Sequence, residues 1–94
     1  MIIFKYKKLE RALFEVTHSC YSMFSGVYAQ IYFIDISLLN DEPTYFIRVS
    51  YGFKDSDNND VNYTVDLTFN NKEIHNKNFV KGYFTRIIEE KEIC

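Results

Sequence analysis

The sequence predicts an α+β fold built as helix, three-stranded antiparallel meander and helix (αβββα). Three observations predict it: apolar residues recur at helical spacing towards both ends, three β-rich runs lie between them, and turn-forming residues bound each run. The 94 residues suit a single α+β domain over 1–94, and 47% hydrophobic with 18% aromatic residues is enough to build a core. No repeat, linker or low-complexity tract divides the chain, which carries only three glycines and one proline.

Ile2 to Tyr6 is a candidate extra edge strand. From about Lys8 to Phe24 the apolar residues Leu9, Ala12, Leu13, Val16, Cys20, Met23 and Phe24 share one side of a helix. Glu10, Arg11, Glu15, His18, Ser19 and Ser22 fall on the other, and Ser25 with Gly26 supplies a stop, because glycine accepts a left-handed backbone without steric cost. Strands follow at Val27–Leu38, Thr44–Phe53 and Val61–Phe69. The third alternates, with Val61, Tyr63, Val65, Leu67 and Phe69 dry and Asn62, Thr64, Asp66 and Thr68 wet. In the second, Tyr45, Ile47, Val49, Tyr51 and Phe53 face one way and Phe46, Arg48 and Ser50 the other. The first is apolar on both sides, which predicts the central or most buried strand. Asn78 to Ile93 closes the chain as a helix, with Phe79, Val80, Tyr83, Phe84, Ile87 and Ile88 inward and Asn76 or Asn78 as its cap.

Several function classes recede. A net charge near −2 with 26% charged residues gives no basic excess for general nucleic-acid binding. No apolar run reaches the ~18 residues of a membrane span or forms a signal-peptide core, so the expectation is a cytoplasmic protein with no membrane partner. Cys20 and Cys94 are too few for a disulfide framework. His18 and Cys20 stand two apart on a helix and point away from each other, so they cannot share a metal. The Asp55–Asp60 loop gathers oxygens as calcium sites do, but an EF-hand needs glycine sixth and glutamate twelfth, and here those places hold Asp60 and Asp66. No cofactor or metal is expected, and no catalytic motif stands out. Ile, Phe, Lys, Asn and Tyr, residues with AT-rich codons, are abundant, which suits a low-GC bacterium, a phage or a mobile element.

Folding the meander places the informative residues. A hairpin through Lys54–Asp60 pairs Phe53 with Val61, Tyr51 with Tyr63, Val49 with Val65 and Arg48 with Asp66. Pairing Ile36 with Ile47 and Ile34 with Val49 then sets Asp35 beside Arg48, giving one arginine between two carboxylates. Ile31, Phe33 and Phe46 would rim that charged row. An aromatic rim around an arginine has the composition of an interface anchor. Asp41 and Glu42 in one turn, with Asp55, Asp57 and Asp60 in the next, favour a partner carrying a basic site. The expected function is therefore a small non-catalytic protein-binding module, an inhibitor or immunity-type factor acting by stoichiometric binding, with homodimerisation through the sheet as a further possibility.

Two alternatives accompany it. The αβββα order resembles that of double-stranded-RNA-binding domains, a likeness of topology that implies an RNA partner, for which Lys72, Lys77, Lys81 and Arg86 would serve. That family presents a lysine cluster at the start of its last helix, whereas these lysines are scattered and the first strand connection is acidic, so nucleic acid ranks below protein as partner. The other alternative is a small enzyme using Asp35, Arg48 and Asp66, which would have to line a concave pocket to exclude water.

Overall fold

The computed structural model describes residues 6–39 and 41–92. Helix α1 (Lys7–Cys20) leads into strands β1 (Ser25–Leu39), β2 (Glu42–Lys54) and β3 (Asp60–Asn70), followed by a one-turn helix α2 (Asn71–Ile74) and helix α3 (Lys77–Glu92). The strands form one antiparallel sheet in the order β1-β2-β3. This is the αβββα class the sequence predicts, with α2 as an addition. The candidate edge strand at Ile2–Tyr6 lies, apart from Tyr6, outside the described residues; Tyr6 itself is buried beside the first turn of α1.

Both long helices lie on one face of the sheet. Helix α1 buries Leu9, Ala12, Leu13 and Val16 together with Thr17, whose hydroxyl donates to the Leu13 carbonyl at 2.9 Å rather than staying unpaired in the core. Helix α3 buries Val80, Phe84 and Ile88, spaced four apart on one stripe. Against them the sheet presents Ala29, Ile47, Val49, Tyr51, Phe53, Val65, Leu67 and Phe69. The Phe84 ring meets Tyr51 edge-on at 5.2 Å, and Tyr83 meets Phe69 in the same way. Glu15 of α1 ties the helices to each other, receiving Lys81 at 2.7 Å and Lys77 at 3.5 Å.

Helix α1 ends at Cys20, four residues before the expected stop. Tyr21 and Phe24 both stack on Phe53, at 4.3 and 4.4 Å, and this aromatic cluster pulls the chain out of the helical path. Cys20 and Met23, expected on the apolar stripe, are exposed in consequence, Met23 to 85%. Gly26 takes its left-handed backbone (φ 62°) inside the first residues of β1, where one extra residue interrupts the pairing with β2. Helix α3 matches its predicted span to within a residue, and Asn76 caps it by accepting from the Phe79 N–H at 3.1 Å. Asn70 and Glu73 form a reciprocal capping box around α2.

The sequence reading of β1 needs correction. β2 is the central strand and β1 lies at the edge. A bulge explains why β1 reads as apolar on both sides. Ile31 pairs with Val49 and Phe33 with Arg48, so Tyr32 is one residue too many, and the side-chain alternation reverses there. Ala29 and Ile31 before the bulge, and Ile34 and Ile36 after it, all point to the helix side, although they differ in parity along the chain.

Glycine is required at position 52. A Cβ there would collide with the Val61 carbonyl oxygen and come within 3.1 Å of the Tyr28 ring. Gly82, in α3, has open space around it. Gly52→Ala is expected to lower unfolding stability by about 1–3 kcal/mol through overpacking, and Gly82→Ala to raise it by roughly 0.5–1 kcal/mol through helix propensity. Urea denaturation of both variants measures the contrast.

Candidate functional site

The face opposite the helices carries the site. Its rows, read across β1, β2 and β3, are Tyr28, Gly52 and Asn62; Gln30, Ser50 and Thr64; Phe33, Arg48 and Asp66; Asp35, Phe46 and Thr68. No helix among the described residues covers it. The β2–β3 register is the predicted one throughout, because a five-residue loop joins strands whose dry faces leave one way to pair. That loop is shaped by Asp55, whose carboxylate accepts from the N–H groups of Asp57 and Asn59 at 3.0 and 2.9 Å, with Asn58 left-handed at φ 63°.

Arg48 and Asp66 meet as predicted. Nε donates to Oδ1 at 2.7 Å and Nη2 to Oδ2 at 3.3 Å, a two-point contact that fixes the plane of the guanidinium. The hydrogen bond from Arg48, helped by its charge, holds the Asp66 carboxyl below its ordinary range; the same partner raises Arg48 above its own.

The β1 side of the row differs from expectation. Ile34 pairs with Ile47 and Ile36 with Tyr45, so Asp35 lies opposite Phe46 and not beside Arg48. The predicted pairing is slipped by two residues from the actual one along this stretch, which leaves Asp35 on the open face but one row away from Arg48. Phe33 takes the place assigned to Asp35, with its ring centroid 5.6 Å from the Arg48 guanidinium carbon. The cation thus sits between an aromatic ring and a single carboxylate. Ile31 does not rim the row either; it turns to the helix side and packs against the core.

The face has two halves of different character. Around Tyr28 it is satisfied internally: the hydroxyl donates to Asn62 Oδ1 at 2.6 Å, lies 3.2 Å from the Ser50 hydroxyl, and the ring covers Gly52. Around Arg48 it is apolar and open, with Phe33 50% and Phe46 38% exposed and Tyr32 exposed beside them. The acidic turns lie at opposite ends. Asp41, left-handed at φ 65°, and Glu42 stand at the Phe46 end, whereas Asp55, Asp57 and Asp60 stand at the Tyr28 end. Asp60 is six residues from Asp66 along β3, or about 20 Å, and is paired with Lys54 at 2.7 Å. The structure therefore gathers Phe33, Asp35, Phe46, Arg48 and Asp66, with Asp41 and Glu42 at their margin, and leaves the second loop apart. No cluster of three or more metal-ligating side chains occurs among the described residues, and no helix among them is long and apolar enough to cross a membrane.

Comparison with known protein families, with characterised proteins and with solved structures finds no match.

The ion pairs carry a pH signature. Asp66 is held low by Arg48, and Glu15 by the Lys81 hydrogen bond first and by the charges of Lys77 and Lys81. Each pair therefore contributes stability that is fully present above the unfolded carboxylate values, 3.8 and 4.5, and is lost as pH falls through the lower folded ones. Thermal melts between neutral pH and about pH 3 should show a smaller acid-side decline in a Glu15→Gln/Asp66→Asn variant than in the parent.

Proposed function

We propose that this protein is a small protein-binding module that works by stoichiometric docking through the Phe33, Phe46 and Arg48 half of its uncovered sheet face. One observation carries the reading: an arginine already oriented by Asp66 and by the Phe33 ring stands among exposed aromatic side chains on a face with no helix over it. Arginine and aromatics supply most of the energy in protein interfaces, and a guanidinium fixed beforehand loses little freedom on binding. Asp35 lies in the next row, and Asp41 and Glu42 stand at the margin, so a partner presenting a basic site finds carboxylates around the aromatic centre. Such a module suits an inhibitor or immunity-type factor working inside a low-GC bacterium, or carried by a phage or mobile element.

The geometry favours this over the alternatives. Asp35, Arg48 and Asp66 occupy an open strand surface, and Asp35 does not reach the arginine, which supports recognition rather than a reaction between them. Lys77 and Lys81, two of the cations a nucleic acid would use, both approach Glu15. A second copy of the chain is the other protein reading, favoured by the position of β1 at the sheet edge.

Photo-crosslinking side chains placed at Phe33 and Phe46 should capture one partner from the native host in stoichiometric yield, and the same groups at Lys72 and Glu89 should not. Arg48→Glu should weaken that capture at least about tenfold in a chain that circular dichroism shows still folded. No specific capture at Phe33 and Phe46 from a chain that sediments as a monomer, or capture indifferent to Arg48→Glu, overturns the docking face. Retention on RNA at about 50 mM salt that Lys72→Glu abolishes would support the nucleic-acid reading in its place.

A further inference from the structure

On the other side of the sheet, a cleft of about 390 Å³ opens where the starts of α1 and α3 meet Tyr45 and the end of α2. Its floor is apolar, since Leu9, Ala12 and Val80 are buried there. Its rim is basic: Lys8, His75 and Lys77 are exposed, and no acidic side chain lines it among the described residues. This local balance runs against the chain as a whole, whose net charge is −2. Lys8 and Lys77 also stand in the first turns of their helices, where the backbone dipole favours anions and disfavours cations. The nearest relief is Glu15, which lies 3.5 Å from Lys77 but is held more tightly by Lys81 at 2.7 Å.

The charges at the mouth and the hydrocarbon at the base select one kind of occupant. An anion offsets the repulsion between Lys8 and Lys77, and an apolar body attached to it removes the floor from water. The volume falls within the roughly 300–1,000 Å³ of small-molecule sites. His75 is held in the rim by its Nδ1, which donates to the Asn71 carbonyl at 2.7 Å. Tyr45 is fixed in the wall by donating its hydroxyl to Asn71 Oδ1 at 3.1 Å.

We propose that this cleft binds a small amphiphilic carboxylate, its hydrocarbon body on Leu9, Ala12 and Val80 and its head among Lys8, His75 and Lys77. The site is separate from the docking face and stands or falls without it.

Decanoate titrated into the isotope-labelled protein, read by methyl and amide NMR, tests the assignment. Saturable shifts are expected at Leu9, Ala12 and Val80, with decanol binding at least about tenfold more weakly. A Lys8→Glu/Lys77→Glu variant should lose at least about tenfold in decanoate affinity while binding decanol as the parent does. Lys7→Glu/Arg11→Glu changes net charge equally outside the cleft and should bind decanoate like the parent; Lys8→Gln alone serves if the first variant fails to fold. The proposal is overturned if no saturation occurs by about 1 mM decanoate, or if decanol binds as well as decanoate. Equal losses in the two double variants, or inorganic phosphate displacing decanoate as effectively as a second carboxylate does, overturn it as well.

Discussion

A three-stranded sheet has two faces, and the long helices of this chain lie on one of them. That constraint governs the rest of the structure. The core lies between α1, α3 and the odd-numbered side of β2, where Ile47, Val49 and Tyr51 are almost wholly buried. The even-numbered side of β2 has no helix over it, so its residues must live with water or with a partner. Near Tyr28 the chain meets this with a hydrogen-bonded polar cluster. Near Arg48 it places aromatic rings around an ion pair instead. The difference between those halves is what makes one of them a candidate for recognition.

Open sheets also have edges, and here each long helix attends to one of them. Glu10 of α1 accepts from the Ile31 N–H of β1 at 2.8 Å, and Lys91 of α3 donates to the Thr64 carbonyl of β3 at 3.2 Å. A charged side chain spent on a strand backbone of an edge strand makes that stretch a poor template for another strand. Such protection matters in a chain this rich in aromatic and β-branched residues. It also concentrates unprotected apolar surface on the far part of β1, where Phe33, Ile36 and Leu38 are all exposed.

Most of the fold was legible because periodicity is a strong signal over long segments. Helix α3 and strands β2 and β3 each repeat their pattern for ten residues or more, and the Arg48–Asp66 contact followed from one hairpin register. The misreadings have local physical causes. The end of α1 is set by Tyr21 and Phe24 stacking on Phe53, a tertiary contact that overrides helical spacing. Helix α2 spans four residues, too few for any periodicity, although the Asn70 and Glu73 pair that caps it stood in the sequence as a signature three residues apart. The Asp35 placement failed because pairing dry residues by parity cannot tell a register from one slipped by two residues, and the Ile31 placement failed because it assumes an unbroken strand. Two apolar sets of opposite parity, Ala29 with Ile31 and Ile34 with Ile36, were the available sign of a bulge. The basic cleft escaped notice for another reason: Lys8 is distant in the chain from His75 and Lys77 and meets them only when two helix starts converge.

The Tyr32 bulge gives β1 an unusual tolerance. Removing that single residue would leave Ile31, Phe33 and Ile34 in regular alternation, each still on the side it now occupies. Removing Ile34 with the bulge kept would instead turn Asp35 towards the hydrocarbon interior and Ile36 towards solvent. The sheet could thus be built from a chain one residue shorter. Packing alone gives no reason for the extra tyrosine, and what it adds is a local bend that swings an aromatic ring outward beside the guanidinium.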